Sequence, residues 1–217
     1  MTISRLIFAL LGLGVAGLSS AGTLFEFEYP ALLILEAKDK VYGYYESTLP
    51  KVEGVRPHAA QCKFFFYSTS KKAKEQYLAH IFYTKSSFDR RKNLIDSPAT
   101  IFRRDSDWII QMQHQDASCD TAAGWNFRLD PDDSDVTTFE VARTSTALSL
   151  RLITKKEIIR IRERGSALSK ISLSPGNVVV VDEEKNELSK IRFFNSVKNE
   201  EVTGWIRSKF LANPFPN

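Results

Sequence analysis

Cys62-Lys63-Phe64-Phe65-Phe66-Tyr67 is followed, after the polar run Ser68–Glu75, by Tyr77-Leu78-Ala79-His80-Ile81-Phe82-Tyr83. Runs this rich in aromatic and branched side chains favour strands, and the two are expected to pair across the polar segment. Upstream, the apolar run Ala31–Glu36, the polar turn Lys38-Asp39-Lys40 and the aromatic stretch Val41–Tyr45 spell a hairpin. Downstream, Thr100–Arg103 and Trp108–Met112 flank Asp105-Ser106-Asp107, a further hairpin signal. Beyond the turn cluster Asp130-Pro131-Asp132-Asp133, Val136–Val141 and Ala147–Ile153 alternate as two more strands. No window of a dozen residues carries a clean helical stripe, and a short helix is expected only around Ser70–Gln76. Short strands at close spacing make this segment a β-sandwich or a barrel-like domain.

Composition agrees with folded domains that have real cores. The chain has 217 residues, 43% hydrophobic, with 15 Phe, 7 Tyr and 3 Trp, which excludes a disordered composition. With 3 His and 2 Cys it is neither a Cys-rich zinc module nor a small scaffold stapled by many disulfides.

The N-terminus has the three-part plan of a secretory signal. Arg5 supplies positive charge, Leu6–Leu18 carries none, and Ser19-Ser20-Ala21 puts small residues before a cleavage point after Ala21. As a helix, Leu6–Leu18 would be about 20 Å long, short of the ~30 Å hydrocarbon core. The expected organisation is a signal peptide over 1–21, a β-rich domain over 22–153 and a second domain over 155–213. The expected location is periplasmic or secreted, with membrane contact only in transit. In an oxidising compartment an isolated cysteine pair reads as a disulfide, Cys62 to Cys119.

Charge divides along the chain. Residues 22–150 hold 16 basic and 18 acidic side chains, whereas 151–217 hold 13 and 8, so a net −2 segment precedes a net +5 one. In the basic segment, Ile158–Arg164 interleaves isoleucines with charged residues and Gly165-Ser166-Ala167 breaks the pattern. Ser174-Pro175-Gly176-Asn177 then precedes the apolar run Val178–Val181, and Gly204-Trp205-Ile206-Arg207-Ser208-Lys209-Phe210-Leu211 closes the segment.

That order resembles bacterial Src-homology-3 domains over roughly Glu157–Leu211. Arg160-Ile161-Arg162 stands where the family has an N-V-R-like triplet. Ser174-Pro175-Gly176 matches its tight turn, and Gly204–Leu211 its G-W-V…S-x-Y-L ending. Leu188-Ser189 occupies the place of the family's earlier tryptophan. The resemblance implies a small five-stranded barrel. Trp205 is expected in its core beside Leu211 and Val180, and Phe193-Phe194 on opposite faces of one strand. Arg160, Arg162 and Arg164, with Phe193, Phe194 and Trp205, make the candidate partner-binding set, although exposed alternating arginines are more often a solvated face.

Catalytic motifs are missing. His58, His80 and His114 stand 22 and 34 residues apart, with no H-x-H or H-E-x-x-H for zinc. Cys119 lies in A-S-C-D, not the S-H-G-C core of an L,D-transpeptidase, and no G-x-S-x-G occurs. Asp130–Asp135 lacks the glycine and glutamate of a helix–loop–helix calcium site and reads as a solvated turn. No cofactor, metal or nucleic-acid partner is expected. The expected role is a non-enzymatic envelope-binding protein whose basic module docks on peptidoglycan or an envelope protein. The alternative is an inhibitor or immunity protein that presents the loop Ser86–Pro98 to an exported toxin or wall hydrolase.

Overall fold

The computed structural model describes residues 21–27, 31–49, 60–73, 75–92, 94–115, 117–122, 127–160, 168–195 and 200–217. The expected signal peptide, apart from Ala21, lies outside them. The fold is mostly β, in two antiparallel sheets.

The first sheet is an up-and-down meander of β1 (Gly22–Glu26), β2 (Ala31–Ala37), β3 (Lys40–Leu49), β4 (Ala60–Ala73), β5 (Gln76–Phe82), β6 (Ser97–Arg104) and β7 (Asp107–Met112). The next strands close it. β8 (Phe139–Glu140) pairs with β7, and β9 (Arg143–Ala147) pairs with β1 at the opposite edge. Only Val141 and Ala142 separate them, and these bridge the gap by donating backbone N–H groups to Ser106 O (3.3 Å) and Glu26 O (3.0 Å). The sheet therefore curls into a barrel-like layer, and the Phe25 and Trp108 rings from its two ends meet at 5.2 Å.

The run that opened the sequence reading is apolar on both faces because both faces are buried. Phe64 and Phe66 point into the curl, among Tyr45, Tyr77, Trp108, Phe127 and Phe139. Phe65 points out, with Leu24, Leu35, Tyr44 and Phe82, and Tyr67 packs beside them. Aromatic side chains fill the curl, so it is a packed core rather than a ligand cavity. Gly43 fits this packing: it faces Phe66 across the ladder, and a Cβ there would lie 2.0 Å from the ring's Cζ.

The second sheet contains β10 (Ser149–Ile153), β11 (Glu157–Arg160), β12 (Leu168–Leu173), β13 (Val178–Lys185), β14 (Leu188–Asn195), β15 (Glu200–Arg207) and β16 (Leu211–Ala212). β10 pairs with β13 and with β16, and β16 follows β15 through the single 3-10 turn Ser208–Phe210. In the order β12-β11-β15-β14-β13-β10-β16 the sheet is open, and the chain through the turn, not a hydrogen-bonded ladder, links β16 back to β15 to complete a five-strand circuit, with β11 and β12 as an added hairpin on β15. Val178–Val181 repeats the logic of the Phe run. Val179 and Val181 enter the second core with Ile153, Ile159, Leu173, Ile191, Val202 and Ile206. Val178 and Val180 face the first sheet, where Leu150, Leu152 and Phe215 join them. The two sheets share this middle cluster and pack as one body.

Several sequence expectations are corrected. Ser70–Gln76 is not helical: β4 runs on to Ala73, in register with β5 through Ser70↔Leu78 and Lys71↔Tyr77, with bulges that absorb the polar residues. Only Phe139–Glu140 of Val136–Val141 is strand. Ser149–Ile153, expected as the last strand of the first domain, hydrogen-bonds into the second sheet. The helix lies elsewhere, at α1 (Ala117–Ala122), where six residues are too few to print a stripe. The disulfide pairs Cys62 of β4 with Cys119 of α1 and fixes the helix on the sheet, where the Ser47 hydroxyl donates to Ala122 O (2.9 Å).

Candidate functional site, a groove between the two sheets

Beside the shared cluster the sheets diverge, leaving a groove of about 650 Å³. Leu33 and Tyr44 of the first sheet and Val178, Val180 and Phe193 of the second give it apolar walls, and Phe194 stands at its rim, 47% exposed. Phe27 and Leu32 also border it, and the remaining wall residues are short, polar or charged.

One end is an ion network that ties the sheets together. Arg192 of β14 donates to Asp182 on β13 (3.0 Å to each oxygen), to Glu26 on β1 (2.5 Å) and to Ser145 Oγ on β9 (3.1 Å). Arg143 of β9 donates to Glu26 and also to Glu201 of β15. The side chains of Arg192 and Glu26 are only 12% and 15% exposed. Burial alone would raise the Glu26 pKa, but hydrogen bonds from Arg143 and Arg192 outweigh it and hold the carboxyl below its ordinary value. Burial opposes the charge of Arg192, and Asp182 and Glu26 more than restore it, raising its pKa. In this network three carboxylates (Glu26, Asp182 and Glu201) share two guanidinium groups, while Glu46, elsewhere in the groove, is paired with Lys63.

The expected site residues separate. Phe193 and Phe194 both reach the groove: Phe193 packs on the second core and Phe194 points away from it, as adjacent strand residues must. Trp205 is buried, but not where expected. Val202 and Ile206 point into the second core, so the period of two places Trp205 on the opposite face of β15, across from Lys190 and Arg160. Val180 faces the first sheet and Leu211 the second core, so Trp205 does not cluster with both. Arg160 is fixed by backbone register only, and Arg162 and Arg164 lie outside the described residues.

Glu26, Arg143 and Arg192 were not singled out from the sequence. The available signal was local: Arg192 interrupts Ile191–Phe194, and Glu26 interrupts Leu24–Phe27. A lone charge inside a buried-looking strand needs a partner, though the sequence does not say which.

For chemistry, the disulfide occupies both thiols, so neither is a nucleophile. His80 lies flat against Tyr67 (5.7 Å between ring centres), and among the described residues no group of His, Cys, Asp and Glu is placed to hold a metal. The Asp130–Asp135 turn is closed by its own side chains. Asp130 and Asp133 each accept a backbone N–H two residues on (2.9 Å), and Asp132 pairs with Arg104.

Comparison with protein-family models, curated proteins and solved structures finds no match to this chain.

Proposed function

We propose that this is an exported, non-enzymatic binding protein of the cell envelope, which takes a peptide strand of peptidoglycan into the groove between its sheets. The groove carries the reading: it joins apolar walls, an aromatic rim and a fixed set of charges in one concave surface. The second sheet is assigned as the Src-homology-3-like module. In support, Gly204–Leu211 runs through β15, the 3-10 turn and β16, the elements that complete the five-strand circuit.

Recognition rests on two contributions. Apolar parts of the peptide bury against Tyr44, Val178, Phe193 and Phe194. Because Arg143 and Arg192 are already paired, an incoming carboxylate would have to displace an acid, whereas an amino group meets the surplus carboxylate. The amine-bearing end of a wall peptide is therefore the end held at Glu26 and Glu201.

The test is sedimentation of the chain from Gly22 onward with purified sacculi. The wild type is expected in the pellet, and Phe194→Ala and Glu201→Gln are each expected to weaken binding by about tenfold, a loss of ~1.4 kcal/mol. No wild-type protein on sacculi would refute wall binding and leave an envelope protein as the groove's partner.

A further inference from the structure

The loop between β5 and β6 is built unlike an ordinary solvated connection. Its base is braced: Phe88 N–H donates to Asn213 O (2.9 Å) in the C-terminal segment, and the Phe88 ring meets Tyr67 and Phe82 edge-on. The Arg91 guanidinium lies over the rings of Phe88 (4.0 Å) and Phe82 (5.1 Å) and pairs with Asp96, these two side chains being 7% and 11% exposed. Tyr67 Oη donates to Asp96 (2.9 Å). Arg91 and Asp96 thus pin the two ends of a short projection. On it, Leu94 and Ile95 are 73% and 80% exposed, the most exposed large hydrophobics among the described residues. In the same loop Lys85, Arg90 and Lys92 are exposed with one exposed acid, Asp89.

An aliphatic tip inside a cationic collar has the chemistry of an interfacial anchor: the side chains enter the acyl boundary while the bases sit at anionic headgroups. A protein pocket fits it less well. The Leu94 and Ile95 side chains carry no aromatic ring or hydrogen-bonding group, and leucine is under-represented among the residues that dominate protein interfaces. The braced base leaves little chain to order on docking. We propose that Leu94–Ile95 is a wedge that seats the protein reversibly on an anionic lipid surface, beyond the passing membrane contact expected of its leader. The inference does not depend on what the groove binds.

The experiment is co-sedimentation of the chain from Gly22 onward, which contains both sheets entire, with vesicles. Phosphatidylglycerol–phosphatidylethanolamine vesicles are compared with pure phosphatidylcholine. Wild type is expected to pellet with the anionic vesicles at low salt, and far less with phosphatidylcholine. Leu94→Asp/Ile95→Asp is expected to lower partitioning by about tenfold or more, and about 0.5 M salt to weaken it. Ile158→Asp, an equally polar change at an exposed aliphatic side chain of β11, leaves it unchanged. Circular dichroism checks that each variant is folded. Equal partitioning of the wild type and the double variant, or no pelleting of the wild type with anionic vesicles, overturns the proposal. The second result would leave the tip to a protein pocket.

Discussion

Arg192→Met removes the hub of the ion network while keeping most of the stem's volume. Arg192 is the donor to Asp182, Glu26 and Ser145 at 2.5–3.1 Å, and its loss leaves two carboxylates short of a partner. Stranding one partner of a fully buried pair costs about 3–5 kcal/mol. Here Glu26 and Asp182 remain 15% and 23% exposed and Glu26 keeps Arg143, so the expected cost is about 2–3 kcal/mol. At ~2–4 °C per kcal/mol for a chain of this size, the melting temperature falls by roughly 5–10 °C. The sign of the pH dependence follows from Glu26. Its folded pKa is depressed, so its stabilisation is complete above the ordinary value of 4.5 and is lost as pH falls through the lower folded value. Removing Arg192 relieves part of that depression. The gap between wild type and variant is therefore widest at neutral pH and narrows below 4.5. Urea unfolding of both proteins from pH about 7 down to about 3.5 measures it. Arg192→Lys keeps the charge but not the fork and should fall between them. A penalty under about 0.5 kcal/mol at neutral pH, no larger than an ordinary surface substitution, would refute the reasoning. So would a penalty that does not change with pH.

Two further perturbations probe the scaffold. Replacing Cys62 and Cys119 with Ala opens a loop with a sequence separation of 57 and should cost about 4 kcal/mol on the chain-entropy account, read as a lower urea midpoint. Gly43→Ala drives a methyl to within 2.0–2.5 Å of three Phe66 ring atoms and should destabilise by about 1–3 kcal/mol. Adding Phe66→Leu to Gly43→Ala should recover part of that loss. An unchanged midpoint for Gly43→Ala would show that the ring is not packed against the glycine.

The β character, most of the hairpins and the disulfide were legible because each leaves a local mark. Polar turns such as Lys38-Asp39 separate strand-forming runs, and an isolated pair of cysteines has few alternatives. Phe64–Tyr67 and Val178–Val181 also announced buried strands. What they bury against is a long-range fact: alternate residues of each run serve different clusters, and the sequence does not say that one face of each meets the other sheet. The same ambiguity misplaced Ser149–Ile153, whose local pattern suits either sheet, and Trp205, whose burial was foreseen on the wrong face of its strand. Ser68–Glu75 looked like a loop because Thr69, Ser70 and Lys71 are polar and exposed on an extended strand tip. The groove was half visible, through Phe193 and Phe194. Its charged end brings Glu26 next to Arg192, 166 positions away, and no short motif records such a meeting.

Hydrogen–deuterium exchange of the chain from Gly22 onward, with and without solubilised wall muropeptides, tests most directly whether this groove is the binding site. Protection is expected at Tyr44–Thr48 of β3 and at Arg192–Phe194 of β14, and Phe194→Ala should shift it to about tenfold higher muropeptide concentration. Protection confined to other strands, or none at saturating muropeptide, would contradict the assignment of the groove.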